Sequence, residues 1–183
     1  GLLNNSILII LAKSLEKLAY RYADHVVALS PGMALEVKSV YNQTKVTTIP
    51  NFCNNIDLAS IRPYIFPREI ESGGKIILYA GTFGYANNVQ YIVNLAVALR
   101  EFDFKFVLVG EGKYKNKTIA NAEKFSVLNH NLFIYGAVNK SEIYSMIKRT
   151  DFMISTVIDH PVMWANSANK FFDSLTFLKP III

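Results

Sequence analysis

The chain has 183 residues, of which 51% are hydrophobic and 18% are charged, and its formal net charge is +5. This composition excludes intrinsic disorder, which combines low hydrophobicity with high charge, and it argues against a dedicated nucleic-acid-binding protein because the basic residues form no run. Cys53 is the only cysteine in the sequence, so an intrachain disulfide framework is also excluded.

The beginning of the chain alternates between helical and strand patterns. We predict a helix over 6–22, a strand over 25–30 and a second strand over 45–49. Between the strands, Ser30 caps a helix and Pro31 occupies its first turn, where the missing N–H costs nothing.

The middle of the chain changes in character before a more regular pattern begins. Segment 52–74 contains Pro63, Pro67 and two adjacent glycines, which interrupt any periodicity, so we interpret it as a linker. Strands, glycine turns and helices then alternate to the end. The predicted strands cover 75–80, 104–109, 132–135, 151–156 and 180–183. Four helices are predicted between them: one that ends near 100, one over 120–125, one that begins after the cap Asn139, and one over 167–177.

These strands are apolar along their whole length, which is typical of a parallel sheet covered by helices on both faces. We therefore predict an α/β fold with a doubly wound, Rossmann-like parallel sheet: one nearly complete unit from about residue 73, and the tail of another before residue 50. Ligands of such sheets bind at the carboxyl ends of the strands.

Both ends of the sequence indicate a piece of a longer protein. The chain starts with Gly1 rather than Met, and it stops at Ile183 inside a predicted buried strand. The apolar run over 6–12 is far shorter than the roughly 20 residues of a membrane span. No secretory signal is visible.

Two glycine turns follow predicted strands and are candidate ligand contacts. Gly81–Gly84 lets a backbone approach a ligand, and the next helix offers free N–H groups to anions, but a tight turn without a ligand is an equally good interpretation. The second turn, 110–112, is followed by Lys113, Lys115 and Lys117, which suit either a phosphate or a solvated helix start.

The segment before the last predicted helix combines an amide, a cation and a carboxylate. Asn169 and Lys170 lie at the helix entry, and Asp173 lies one turn further on the face of Asn169. A carboxylate there could accept hydrogen bonds from the vicinal hydroxyls of a ribose, while Lys170 could meet a phosphate. The alternative is an acidic residue that stabilises the helix dipole.

Other polar features give weaker signals. His25, His130 and His160 are far apart and have no metal-ligand spacing, so we predict structural or solvent-facing roles and no metal site. Lys13 and Lys17, followed by an arginine four residues later, flank a leucine stripe on the first helix. That pattern suits an anionic membrane surface or a solvated face that packs its leucines on a core.

Seven segments together resemble one family, the bacterial retaining GT-B glycosyltransferases of family 4. The segments that carry the resemblance are 22–31, 46–51 with Asp57, 78–82, 108–112, 133–136, 165–173 and 179–180. The form of the 167–173 segment looks like the members that build cell-surface polysaccharide. The resemblance implies that 1–51 is the C-terminal part of the acceptor-side domain, 52–74 the interdomain linker, and 75–183 the donor-binding domain, truncated at its end.

The resemblance also implies which residues bind a nucleotide-sugar donor. They are Gly81, Thr82, Phe83, Gly84, Gly110, Glu111, Gly136, Val138, Ser167, Asn169, Lys170 and Asp173. Asp173 takes the position of the family's ribose-binding acid, and 136–138 that of its base-binding segment. In the family that acid ends a Glu-x7-Glu pair, whose first Glu falls on Ala165 here. The family's Arg and Lys that clamp the diphosphate fall on Thr82 and Asn87. We expect Lys170 and the turn backbones to substitute.

The expected function is transfer of a sugar, from a UDP-linked donor, to a polysaccharide or lipid-linked acceptor. The reaction is expected to be retaining and free of metal or cofactor, in the cytoplasm or peripherally at the cytoplasmic membrane face, with no nucleic-acid partner. Catalytic residues of the acceptor side are expected outside this chain, which alone should be inactive. Another GT-B enzyme, such as a nucleotide-sugar epimerase, is one alternative. A non-catalytic nucleotide-binding module is another, favoured by Thr82, Asn87 and Ala165.

Overall fold

The computed structural model describes residues 6–53 and 56–183, so Gly1 and the Asn54–Asn55 pair, part of the predicted linker, lie outside the described residues. The helices are α1 (Ser6–Tyr22), α2 (Pro31–Val40), α3 (Arg68–Glu71), α4 (Val89–Ala98), α5 (Lys115–Lys124), α6 (Lys140–Arg149), α7 (Pro161–Trp164) and α8 (Asn169–Thr176). The strands are β1 (Val26–Ala28), β2 (Val46–Thr48), β3 (Lys75–Ala80), β4 (Phe104–Val109), β5 (Leu132–Tyr135), β6 (Phe152–Ile154) and β7 (Ile181–Ile182). The chain divides into two units, Gly1–Asn51 with His160–Ser167, and Phe52–Asp159 with Ala168–Ile183.

The first unit contains a short parallel sheet and the helices α1, α2 and α7. Strand β1 pairs with β2, with Val26 opposite Val46. Ser30 caps α2 as predicted, since its hydroxyl oxygen accepts the Met33 N–H at 3.1 Å and Pro31 occupies the first turn. Helix α1 buries none of its residues. Across the described ranges, no helix combines the length and the apolar character that crossing a membrane requires.

The second unit is built on a five-stranded parallel sheet in the order β5-β4-β3-β6-β7. This confirms the predicted α/β class, and β3, β4 and β5 have the predicted bounds. The chain winds outward from β3 to β5 and then crosses back to β6. The strand order therefore reverses beside β3, and doubly wound sheets bind ligands at the carboxyl end of such a switch point.

Successive residues of β3 point to opposite faces of the sheet and enter separate core clusters. Ile77 and Tyr79 pack on the side of α4, while Ile76 and Leu78 pack on the side of α6. All four side chains are buried. Two buried faces explain why the strand sequences are apolar throughout rather than alternating.

The segment interpreted as a linker packs firmly within the second unit. Phe66 and Ile70 are buried in the core cluster beneath α6. The ammonium group of Lys148 on α6 donates to the carbonyl oxygens of Leu58 and Ile61, both at 2.6 Å. The short helix α3 was not predicted from the sequence, because four residues give too little periodicity to recognise.

Two further elements differ from the sequence expectation. Helix α5 begins at Lys115 rather than near residue 120. Its start was predicted too late because no capping side chain marks it in the sequence. The short helix α7 was not predicted at all. His160 caps it, with Nδ1 accepting the Val162 N–H at 3.3 Å, and Pro161 opens it.

Candidate functional site

The glycine turns that follow β3 and β4 hold each other at the carboxyl edge of the sheet. The Gly81 N–H donates to Val109 at 2.9 Å, and the Phe83 N–H donates to Glu111 at 2.8 Å. A Cβ on Gly110 would lie 1.9 Å from the Gly81 carbonyl oxygen, and Gly110 has a φ of 150°. Gly110 is therefore a glycine because two backbones meet here, a reason that involves no ligand.

The turn over 81–84 presents only part of itself to solvent. Phe83 is fully buried and packs edge-on against Tyr79, with 6.0 Å between ring centroids. Thr82 is exposed, and its carbonyl oxygen accepts the Tyr79 hydroxyl at 2.8 Å. Of the four residues expected to touch a ligand, Phe83 positions the turn from below, while Gly81, Thr82 and Gly84 form its outer surface.

Lys170, at the second position of α8, lies directly against Gly81. A Cβ on Gly81 would come within 2.8 Å of Cε and 3.0 Å of Nζ of Lys170. The Nζ atom lies 4.9 Å from the centroid of the Tyr79 ring, and no hydrogen bond to it occurs among residues 6–53 and 56–183. Burial lowers the pKa of Lys170 below the ordinary 10.5, and the Asp173 carboxylate partly opposes that shift. The glycine thus leaves room for a half-buried cation at the end of β3.

Asp173 is buried and already paired. Lys140 Nζ lies 2.9 Å from Oδ1 and 2.8 Å from Oδ2 of Asp173. The same ammonium group lies 4.8 Å from the centroid of the Tyr144 ring. The pair joins the start of α6 to α8, and sequence reasoning missed Lys140 because the two residues are 33 positions apart. Its position directly after the helix cap Asn139 was the one available signal.

Glu111 and Gly136 meet at the ends of β4 and β5. Lys115 Nζ contacts Glu111 Oε1 at 2.5 Å. This hydrogen bond lowers the pKa of Glu111 against the opposing effect of desolvation, and the charge of Lys115 and the Ala137 N–H add to the lowering. A Cβ on Gly136 would lie 3.3 Å from Glu111 Oε1. The glutamate therefore neutralises one of the three lysines considered as phosphate ligands.

The remaining candidates are divided between the two units. Val138 is half-buried against the α6 side of the core, and Asn169 is exposed at the start of α8. Ser167 belongs to the first unit, where its carbonyl oxygen accepts from the Asn51 side chain at 3.0 Å. Ala165 belongs to that unit as well, and its carbonyl oxygen accepts the Ser30 hydroxyl at 2.7 Å.

Neither the histidines nor the acidic residues form a metal centre within the part of the chain that the structure describes, where no group of three or more His, Cys, Asp or Glu side chains could hold an ion. His25 Nε2 lies 2.7 Å from the Thr47 hydroxyl oxygen, and His160 caps α7. Asn87 contacts the segment that follows β6 through its carbonyl oxygen, which accepts the Thr156 hydroxyl at 2.6 Å.

Comparison with known proteins identifies the fold at this site. The family model for glycosyl transferases group 1 matches residues 60–161. A search of curated proteins found no match. Similar solved structures include S. aureus TarM in complex with fondaparinux, α-GlcNAc-glycerol and UDP, with a TM-score of 0.71 and 15% identity over 93% of this chain and 31% of that one.

This chain covers a larger share of two further structures. A glycosyltransferase from Rickettsia africae has a TM-score of 0.67 and 17% identity over 92% of this chain and 47% of that one. HepE from Anabaena, in complex with UDP and glucose, has a TM-score of 0.66 and 16% identity over 92% and 46%. This chain thus spans less than half of each protein. Its α/β fold matches the C-terminal domains of GT-B glycosyltransferases. With more than half of its residues matched by the family model, the chain belongs to the glycosyl transferases group 1 family.

Proposed function

We propose that the second unit binds a nucleotide-sugar donor, most simply a UDP-sugar, for a metal-independent, retaining glycosyltransferase of family 4. The observation that carries this proposal is the Lys170 ammonium group, which lies against Gly81 at the switch point of the sheet without a hydrogen bond to any described residue. A diphosphate needs a positive partner, and charge-assisted hydrogen bonds are the strongest that a side chain offers. The UDP in the TarM and HepE complexes is consistent with that donor class.

In this proposal the diphosphate contacts the Lys170 ammonium group and the neighbouring outer surface of the 81–84 turn. The family's clamp positions hold Thr82 and Asn87, so Lys170 and backbone N–H groups supply the attraction instead. Helix α8 has no capping side chain at Ala168, and its first N–H groups and dipole add favourable electrostatics for an anion. The same groups would stabilise the departing diphosphate while the acceptor hydroxyl attacks the anomeric carbon.

The ribose and base are proposed to lie further along the same sheet edge. Asp173 is the acceptor for the ribose hydroxyls, and the ion pair with Lys140 orients its carboxylate. The backbone of 136–138, beside Glu111 and above β5, provides the edge on which the base is recognised. Gly110 allows the glycine turns after β3 and β4 to pack against each other at this sheet edge.

The acceptor and the location of the enzyme follow from the chemistry of the donor. We propose a saccharide or lipid-linked acceptor, used where nucleotide sugars occur, in the cytoplasm and at the inner face of the membrane. The exposed leucines of α1, among them Leu11 and Leu15, lie beside Lys13 and Lys17. Such a helix surface suits peripheral association with anionic lipid.

A nucleotide-binding module without transferase activity is the second candidate. It is favoured by the uncharged side chains of Thr82, Asn87 and Ala165, where the family has charged groups. Nucleotide binding alone does not separate the two functions. Incubation of the full-length protein with UDP-sugars and analysis of the products does, since only the transferase releases UDP and a new glycoside in the presence of acceptor.

The proposed donor site is tested by calorimetric titration of the chain with UDP, GDP, ADP and CMP. We expect one saturable nucleotide, UDP, and loss of that binding in Asp173→Asn. The matched control is Asp103→Asn, a change of an exposed aspartate beside Gly74 at the amino end of the sheet. Equal binding of UDP by both variants would remove Asp173 from the donor site.

A further inference from the structure

A cavity of about 180 Å³ opens between the starts of α4 and α5, beside the glycine turn that follows β3. Gly84 lines both the cavity and the outer surface of the turn, so the two regions are neighbours within the second unit. None of the candidate donor contacts other than Gly84 lines this cavity. The proposed nucleotide site therefore does not account for this cavity.

Two tyrosines form the aromatic part of the lining. The rings of Tyr85 and Tyr114 are 6.3 Å apart between centroids and inclined at 44°. Tyr85 is 49% exposed. Neither phenolic hydroxyl makes a hydrogen bond to a residue in the described ranges. The cavity thus offers apolar ring faces together with two hydroxyl groups that are able to donate and accept.

Polar groups of a second kind converge on the same space. Asn88 adopts a left-handed φ of 45° at the start of α4, and its side chain does not cap the helix. Lys117 makes no ion pair with any described residue, in contrast to Lys115, which is held by Glu111. Gln90 is fixed at the wall by the Asn121 amide. The lining therefore combines an amide and an ammonium group with the two rings.

Size and chemistry together select the occupant. Pockets for drug-sized ligands measure roughly 300–1,000 Å³, so this cavity is too small for a nucleotide and suits one monosaccharide ring. A pyranose has an apolar face of C–H groups, which packs on aromatic rings, and a rim of hydroxyls, which exchange hydrogen bonds with phenol, amide and ammonium groups. Tyr85, Tyr114, Asn88 and Lys117 supply these partners.

We propose that this cavity is a subsite for a pyranose unit of the acceptor glycan, one that lies beside the donor turn and is separate from the nucleotide. The assignment of this sugar to the acceptor rests on the proposed transferase function, whereas the binding of a saccharide in the cavity does not. Gly84 links the subsite to the donor turn. A sugar held there would lie beside the turn proposed to contact the diphosphate, and it would help to select which glycans are extended.

The test is a titration of the ¹⁵N-labelled chain, followed by amide chemical shifts, with the methyl pyranosides of glucose, galactose and N-acetylglucosamine. We expect saturable shifts confined to residues 84–90 and 114–118 with at least one glycoside, and a millimolar dissociation constant, which corresponds to about −4 kcal/mol. Replacing both rings, in Tyr85→Ala with Tyr114→Ala, should raise that constant about tenfold.

The matched control is Tyr91→Ala, which removes a ring of similar exposure from α4 outside the cavity lining. It should bind as the unchanged chain does. Saturation at other residues, unaltered binding by the double variant, or no saturation with any of the three glycosides would overturn the proposal. So would shifts of 84–90 and 114–118 that UDP causes and the glycosides do not. Because UDP is titrated separately, loss of UDP binding alone contradicts the donor site and leaves this subsite intact.

Discussion

Lys140 at the start of α6 and Asp173 in α8 form a two-pronged ion pair, with the ammonium nitrogen 2.9 Å and 2.8 Å from the two carboxylate oxygens. The side chain of Asp173 is 12% exposed and that of Lys140 is 55% exposed. The attraction of this lysine therefore offsets much of the free-energy cost of burying the Asp173 carboxylate. The pair connects the first turn of α6 with α8, the helix that carries Lys170.

The first prediction concerns the strength of this pair. Removing one partner leaves a buried charge without its counterion, but the exposure of Lys140 reduces the cost through solvent screening. We expect Lys140→Met to lower the free energy of unfolding by about 1 kcal/mol. In a double-mutant cycle with Asp173→Asn, measured by urea denaturation, the two losses should not add. Strictly additive losses would mean that the contact contributes nothing.

The second prediction tests the contact between the two glycine turns. In Gly110→Ala, the new Cβ would meet the Gly81 carbonyl oxygen at 1.9 Å, so the backbone must move. We expect a loss of about 2–3 kcal/mol in the free energy of unfolding. Gly136→Ala is the matched control, because its Cβ first meets the flexible end of Glu111 at 3.3 Å. It should cost less than about 1 kcal/mol, and similar losses in both variants would contradict the structure of the turns.

The third prediction concerns pH. Burial lowers the pKa of Lys170, so its positive charge is lost at a lower pH than that of an exposed lysine. A diphosphate binds the charged form, and we therefore expect UDP affinity to fall with rising pH, beginning at a lower pH than the deprotonation of an exposed lysine would cause. Lys170→Arg keeps its charge throughout this rise.

Calorimetric titrations at several pH values distinguish the two proteins. The affinity of the unchanged chain should decline with rising pH more steeply than that of Lys170→Arg. The difference between the two slopes is the informative quantity, because it removes the titration of every other group. Parallel slopes would exclude Lys170 as the source of the pH dependence.

The fourth prediction tests whether segment 52–74 is part of the folded unit. Ile70 is fully buried, and replacing a buried isoleucine by alanine typically costs about 2–5 kcal/mol. We expect Ile70→Ala to lower the free energy of unfolding by about that amount. Ile65, in the same segment, is 85% exposed, and Ile65→Ala should change stability by less than about 0.5 kcal/mol. A mobile linker would give two equally small effects.

The regular part of the fold could be predicted because its signals are local. β-Branched and aromatic runs that end in glycine, as in 75–81 and 104–110, mark buried strands and their turns in a few consecutive residues. Ser30 and Asn139 mark helix starts for the same reason, since each side chain caps its own helix. By contrast, α5 begins without a capping side chain, and its start was placed five residues too late.

Strand ends and glycine turns in the sequence indicated the candidate residues but not their pairings. The structure brings Lys170 against Gly81 at the end of β3, while their role in donor binding stays a prediction. The Lys140–Asp173 pair depends on contacts across 33 positions of sequence, which composition and periodicity do not encode. The side-chain direction of Phe83 was equally hidden, because a turn residue points inward or outward according to the packing beneath it.

The central claim is that Lys170 binds the diphosphate of the donor, and calorimetric titration of UDP into Lys170→Ala tests it most directly. Loss of a charge-assisted hydrogen bond should raise the dissociation constant at least about tenfold. The control Lys124→Ala, at the far end of α5, should bind UDP like the unchanged chain. Tenfold weaker binding in Lys170→Ala alone is the predicted result. Unchanged UDP affinity in Lys170→Ala would contradict the account.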